Sequence, residues 1–270
     1  MRKQGDQLSV DFTGTSLQVE SSWNTHQAVA TSAIFYVLQS LSPDQIPETS
    51  GTLEAVQMTF PDRSLVSSCV PAGVAIGNVE TSQRIVDVLL EALRQVLPQQ
   101  IPACSQGTMN NLLFGGRRAD GTPFVYYETL GGGAGANIDA DGASAVQVHM
   151  TNTRNTPVEV FELELPVRVH QLKIRRKSGG IGLHRGGDGL IKEIEFLEPA
   201  RVTLAGTRRQ SGAPGASGGS AGMPGIEHVQ ISGTSSWKKL KPGQAIDVAP
   251  GDRIRVQTPG GGGWGPAEKH

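Results

Sequence analysis

Glycine constrains this chain more than any other residue. It holds 35 of 270 positions and is concentrated in "LGGGAGA", "SGGIGLHRGGDG", "SGAPGASGGSAGMPG" and "TPGGGGWGP", against an average usage of roughly 7%. The clusters are separated from one another, so they read as tight turns and close backbone approaches, not as one flexible linker. They share composition without register, and no fixed repeat period emerges.

Between the clusters the pattern divides. "DQLSVDFTGT" alternates as a strand ending at Gly14. "WNTHQAVATSAIFYVLQSLSPDQIP" has apolar residues at three and four spacing, a candidate cap at Thr25 and Pro43 after its end, which predicts a helix. "GTLEAVQMTFPDRSLV" reads as two short strands around a Pro-Asp turn. "GNVETSQRIVDVLLEALRQVLP" is the strongest helix, with Ile85, Val86, Val88, Leu89, Leu90, Ala92, Leu93, Val96 and Leu97 as its apolar face, Glu80, Thr81 and Ser82 at its start and Pro98 as its stop. Beyond about residue 140 the helical signal ends. "ASAVQVHMT", "VRVHQLKIRRKS", "GLIKEIEFLE", "ARVTLAG", "IEHVQIS", "AIDVA" and "RIRVQTP" read as strands. The expected fold is α+β and β-rich. Residues 1–140 form a mixed front part with two main helices on a sheet, and residues 141–270 an all-β, glycine-rich back part, the two continuous with each other.

Hydrophobic content of 37% and charged content of 18% mark a chain that buries a core, not a disordered one. A net charge of -1 gives no basic excess for nucleic acid and no basic amphipathic surface for a membrane. No stretch approaches about 18 consecutive apolar residues, and the N-terminus has no signal-peptide core, so a cytoplasmic location is expected. Cys69 and Cys104 make no disulfide framework and read as two buried thiols in a reducing compartment.

The densest polar region is "YYETLGGGAGANIDADGASAVQVHMTNTRNTPVEVFE". Gly131, Gly132, Gly133 and Gly135 match neither a P-loop nor a dinucleotide fingerprint. Such a loop offers backbone N–H groups to a ligand, or marks a crossing where side chains do not fit. Glu128, between two tyrosines and this loop, suits acid–base work with a raised pKa, or else pins the loop through hydrogen bonds. His149, Thr151 and Thr153 fall on one face of the expected strand and Asn152 on the other; Asx and hydroxyl groups also satisfy local backbone. Asn110 and Asn111 orient a carbonyl or satisfy backbone, and Asp11 is a ligand or a turn residue. "LHRGGDG" reads as a salt-bridged hairpin of His184, Arg185 and Asp188. Arg208 and Arg209 suit a phosphate or carboxylate, or a solvated surface. "TPGGGGWGP" is too glycine-rich for a core strand and reads as a tail that packs against another chain through Trp264. No HxxxH, HxxE or CxxC spacing occurs, and no metal site is assigned.

In order along the chain, "VDFTGTS", "GNVETSQRIVD", "SQGTMNNLLFGG", "YYETLGGGAGA", "HMTNTRNTPVEVFELELPVRV", "RRKSGGIGLHRGGDGLIKEIEF" and "TPGGGGWG" resemble the hydantoinase B / 5-oxoprolinase family, which includes the large subunit of acetone carboxylases. The resemblance runs from about Asp6 to Gly265 and covers the C-terminal portion of longer family members. It implies an ATP-dependent hydrolase of cyclic amides, with ATP and Mg on an A-type partner subunit. It implies that the front half of the B-type subunit, which carries a possible divalent-metal segment, is supplied separately. It also leaves two alternatives: a non-catalytic assembly module or remnant of the family, and part of an ATP-dependent ketone carboxylase. On this reading Glu128, Asn110, Asn111, Asn152, His149 and Asp11 are the candidate catalytic or orienting groups, and Gly131, Gly132, Gly133 and Thr153 the candidate substrate contacts. Those roles come from residue type and motif position, and the cleft they wall is expected to be completed by a second polypeptide.

Overall fold

A computed structural model of the chain describes residues 1–42, 47 and 49–267, apart from the side chain of Ser50. It contains two compact units, Met1–Ile101 and Pro102–His270. The division falls ahead of the expected boundary at 140 because the strands of residues 111–129 pair within the second unit.

In the first unit, β1 (Arg2–Gln4) and β2 (Gln7–Asp11) form a hairpin over Gly5, and β2 pairs in parallel with β3 (Val56–Thr59). A parallel pair needs a long crossover, and α1 (Gln27–Leu41) lies in it. Ala30, Ala33, Ile34 and Val37 are its buried stripe, at the three-and-four spacing of one helix face. Its N-cap is His26, without a side-chain bond; Thr25, expected to cap, is buried instead. Pro43 lies outside the described residues. The segment expected to hold two strands forms a helical turn, α2 (Ser50–Leu53), and the single strand β3.

The second expected helix begins as a π-helical turn (Gly77–Thr81) and continues as α3 (Ser82–Arg94), which packs against α1. Its apolar face is narrower than the sequence suggests. Ile85, Val86, Leu89 and Leu90 are buried, whereas Val88 and Val96 are 61% and 73% exposed, because position 88 falls off the stripe set by 85, 86, 89 and 90. The turn is tied to residues 22 and 23: Gly77 N donates to the Ser22 carbonyl at 2.9 Å and Thr81 Oγ1 to the Trp23 carbonyl at 2.6 Å. Asn24 fixes the adjoining loops, its Oδ1 accepting from Val19 N at 2.7 Å and its Nδ2 donating to the carbonyls of Val19, Ser21 and Gly73. Gly77 is required here, since a Cβ would stand 1.9 Å from the Asn24 carbonyl oxygen.

The second unit carries two antiparallel sheets. One has the order β10 (Lys238–Lys239), β9 (Ile226–Gln230), β12 (Arg253–Gln257), β7 (Gly189–Phe196), β6 (Val167–Arg175). The other has β11 (Ala245–Val248), β8 (Ala200–Ala205), β4 (Asn111–Arg117), β5 (Pro123–Thr129). Both contribute to one core, which includes Leu112, Phe114 and Val202 from the second sheet and Ile194, Phe196, Ile254 and Val256 from the first. Phe114 sits edge-on to Phe196, with ring centroids 5.2 Å apart. A helix that the sequence did not announce, α4 (Val158–Glu164), inserts Phe161 into this core, edge-on to Phe114 and Tyr126. "ASAVQVHMT" forms only an isolated bridge, Gly132 to Val146.

The glycine clusters pack on one another. Extended segments run side by side and bond backbone to backbone: Gly133 N to Pro259 O, Gly187 N to Ala134 O, Gly261 N to Gly187 O, Gly262 N to Cys104 O and Gly180 N to Gly261 O, all at 2.8–3.0 Å. A Cβ on Gly133 would stand 1.9 Å from the Gly187 carbonyl oxygen, and one on Gly261 1.9 Å from that of Ala134. Side chains are excluded because neighbouring backbones occupy their space. "TPGGGGWGP" is therefore interior, not a tail awaiting another chain: Pro259 to Gly263 are buried, and Trp264 exchanges backbone bonds with His184.

Candidate functional site

Register places the candidate polar groups together. Asn111 lies opposite Thr129 and Leu112 opposite Glu128, so the start of β4 and the end of β5 bring the paired asparagines beside the "ETLGGG" segment. Residues 145–157, which form no strand, are tied to the same end of β5. Asn155 Nδ2 donates to Glu128 Oε2 and to the Thr129 carbonyl, both at 2.8 Å. The Thr129 and Thr153 hydroxyls lie 2.6 Å apart, the Tyr126 and Thr156 hydroxyls lie 2.8 Å apart, and Gln147 Nε2 reaches Thr129.

Glu128 is 7% exposed and fully engaged. Its Oε1 accepts from Lys192 Nζ, and its Oε2 from Asn155 and from Tyr126 OH at 3.2 Å. Lys192, 2% exposed, rises from β7 and holds its ammonium 4.3 Å from the centre of the Phe161 ring. Burial pushes the Lys192 ammonium below its usual pKa, and the facing carboxylate pulls it back up. A second buried pair lies on the other side of Asn110. Arg209 Nε donates to Glu227 Oε1 at 2.5 Å, and its Nη2 donates to Asn110 Oδ1 at 2.8 Å. Asn110 Nδ2 donates onward to Gln106 Oε1 and the Leu130 carbonyl. Of the two arginines singled out in the sequence, Arg209 meets a carboxylate, and that carboxylate belongs to the chain itself.

Tyr126 gives this network a pH signature. Burial, offset by the Thr156 hydroxyl and reinforced by Glu128, pushes its phenol up to about 12 from 10.0. Between those values the unfolded chain has lost this proton and the folded chain keeps it, so this group's stabilisation is lost as pH rises from about 10 to about 12. The stability gap between the native chain and Tyr126→Phe should therefore narrow between about pH 8 and about pH 11 in urea titrations. A gap constant across that range would contradict the half-buried, hydrogen-bonded phenol.

The remaining expected residues are placed as follows. Asn111 donates to the Ala205 carbonyl and accepts from Tyr127 OH at 2.7 Å. Asn152 is exposed, and its amide has no hydrogen bond among the described residues. His149 occupies a turn at φ 55°, not a strand, so the common face expected for His149, Thr151 and Thr153 does not form. Gly131, Gly132 and Gly133 do admit close backbone approach, but the approaching groups are Ala145, Gln106, Pro259 and Gly187 of this chain. Asp11 lies in the first unit, where it accepts from Thr13 N at 2.9 Å. The Thr13 hydroxyl and N–H hold its carboxyl below the usual range, which is a turn residue's geometry. Among the described residues Asp188 makes no ion pair with His184 or Arg185; it accepts backbone N–H groups from Lys177 and Gly179. Cys69 is exposed, and only Cys104 is buried. Among the described residues no group of three or more His, Cys, Asp or Glu is arranged to hold a metal ion. No helix among them is long and apolar enough to cross a membrane.

Lys192, Gln106, Glu227 and Asn155 are among the members of the network that sequence reasoning did not nominate. Lys192, Glu193 and Glu195 stand among the apolar Leu190, Ile191, Ile194 and Phe196 of "GLIKEIEF", and a charge inside a largely apolar strand is the available signal that a buried partner exists.

The chain is 44% identical to 5-oxoprolinase 1 of Arabidopsis thaliana over 261 residues, covering 96% of this chain and 20% of that protein. It is 29% identical to the B-type subunit of a putative D-/L-hydantoinase from a Pseudomonas species, covering 97% of this chain and 45% of that one. The chain thus spans about a fifth of the oxoprolinase and under half of the bacterial protein. The fold matches the crystal structure of an ATP-dependent caprolactamase from Pseudomonas jessenii, with a TM-score of 0.85, 23% identity and coverage of 97% of this chain and 47% of that one. It also matches nucleotide-free acetone carboxylase, with a TM-score of 0.80, 19% identity and coverage of 95% and 39%. The hydantoinase B/oxoprolinase family profile matches residues 1–267, and the chain belongs to the hydantoinase B/oxoprolinase family.

Proposed function

We propose that this chain acts as the C-terminal portion of a B-type subunit in an ATP-dependent hydrolase of cyclic amides, working with a front portion and an ATP-binding A-type subunit. The observation that carries the reading is the 44% identity to a 5-oxoprolinase across 96% of the chain. The chemistry explains the need for ATP. A five-membered lactam is resonance-stabilised and resists water; phosphorylating its amide oxygen makes the ring carbon electrophilic, water adds to that carbon, the ring C–N bond breaks with the nitrogen leaving as the protonated amine, and a second water hydrolyses the resulting acyl phosphate to carboxylate and inorganic phosphate. ATP and Mg belong on the A-type subunit in this scheme, and any divalent metal belongs in the front portion. Within this chain, Glu128 holds the 145–157 segment against β5, because both of its oxygens are committed to Lys192, Asn155 and Tyr126. A group so engaged positions a wall; it is not free to shuttle protons. A ketone carboxylase is the second reading, favoured only by the fold shared with acetone carboxylase.

The test reconstitutes the A-type subunit and the front portion with and without this chain and measures ATP hydrolysis and ring opening on 5-oxoproline and on hydantoin. The reading predicts coupled turnover only when this chain is present. Equal ring opening without it, or turnover of acetone with bicarbonate in place of either ring, would contradict the reading.

A further inference from the structure

We propose that a pocket in the second unit, at the turn after β6, binds a phosphoryl group. The pocket has a volume of about 460 Å3 and is lined by Arg176, Lys177, Arg185, Asp141, Ser144 and Asp188, with Gly186 at its floor. The two carboxylates and the three cations have different tasks. Asp188 accepts from Lys177 N at 3.2 Å and Gly179 N at 2.8 Å, which fixes the 176–179 turn and holds Lys177 at φ 67°. Asp141 accepts from Arg185 N at 2.7 Å, with His184 Nδ1 at 3.7 Å, which fixes the neighbouring turn. The carboxylates thus clamp the backbones that carry the cations. The side chains of Arg176, Lys177 and Arg185 are exposed and have no hydrogen bond or ion pair among the described residues.

Three cations facing two carboxylates leave the pocket net positive in a chain whose overall charge is -1. A concave surface concentrates such a field. Two guanidinium forks and an ammonium match the oxygens of a phosphate, which accepts paired N–H bonds. Ser144 Oγ accepts from Asp188 N at 2.9 Å, so its own hydroxyl proton remains to donate. The floor is preorganised: a Cβ on Gly186 would stand 2.0 Å from the Gly261 carbonyl oxygen, so the glycine packing fixes the pocket's backbone before any ligand arrives, and the ordering cost that remains is that of the three exposed side chains. Binding is measured on this chain itself, so its outcome is independent of the ring-opening reading.

The phosphoryl group could come from a free ion or a nucleotide, and calorimetric titration of the full chain with inorganic phosphate and separately with ADP separates the two. Acetate at equal ionic strength is the control. Saturable binding of phosphate or ADP is expected, weakened at least about tenfold in Arg176→Gln/Arg185→Gln. The denaturation midpoint of that variant should be unchanged, since both side chains are exposed and unpaired. Lys177→Gln, made separately, should weaken binding as well. Preferential binding of ADP assigns the pocket to a nucleotide phosphate, and equal binding assigns it to the free group. No saturable binding of either, binding equalled by acetate, or binding unaltered in these variants would overturn the proposal.

Discussion

Gly133→Ala is expected to abolish cooperative folding of the second unit, with a loss of more than about 3 kcal/mol, the upper range for overpacking. The added methyl would stand 1.9 Å from the Gly187 carbonyl oxygen and 2.2 Å from the Gly261 nitrogen. Neither atom can retreat easily. Gly187 N and Gly261 N are each committed at 2.9 Å, to Ala134 O and Gly187 O, so moving one strand of the glycine layer disturbs its neighbours. Gly51→Ala is the control: its Cβ would meet only Thr49 Oγ1 at 3.7 Å, and it should cost no more than about 0.5 kcal/mol. Urea denaturation followed by circular dichroism measures both. A Gly133→Ala chain that unfolds with the native midpoint would contradict the backbone-packed layer.

The second large effect lies at Lys192. Lys192→Met is expected to cost about 3–5 kcal/mol, because it leaves the Glu128 carboxylate buried without its cation. The energy resides in the mismatch, not in the pair: replacing both charges, as in Glu128→Gln/Lys192→Met, should recover most of the loss and fall within about 2 kcal/mol of the native chain. The amide introduced at position 128 can still meet Asn155 and Tyr126, and the thioether introduced at position 192 still packs on Phe161. Denaturation midpoints of the two single variants and the double variant close the cycle. Strictly additive losses would show that the two charges do not depend on each other.

Much of the β architecture was legible because six strands of the second unit alternate or form apolar runs between glycine and proline turns: β6, β7, β8, β9, β11 and β12. α4 was not legible for a physical reason. "VEVFELE" alternates as a strand does, but Pro157 stands at its N-cap and Phe161 fills the core between two sheets, so tertiary packing overrode local pattern. The glycine tail misled for a related reason. A single glycine run contains nothing that distinguishes a tail from an interior segment; the distinction arises only where it meets the runs around residues 133, 180, 187 and 214. Density of polar residues correctly pointed to the meeting of "TMNN", "YYET" and "TNTRN". The use of those groups was not written in the same stretch. The partner of Glu128 is Lys192, 64 positions along the chain, and that of Asn110 is Arg209, 99 positions along. No local spacing reveals that both are saturated internally.

The most direct test of the claim that Glu128 holds a wall in place is the pH–rate profile of the reconstituted enzyme carrying Glu128→Gln/Lys192→Met. With the fold retained, the account predicts kcat within about tenfold of the native assembly and both limbs of the profile unmoved. A fall of about 10²–10⁴ in kcat with the loss of one limb, the signature of a removed general acid or base, would contradict it.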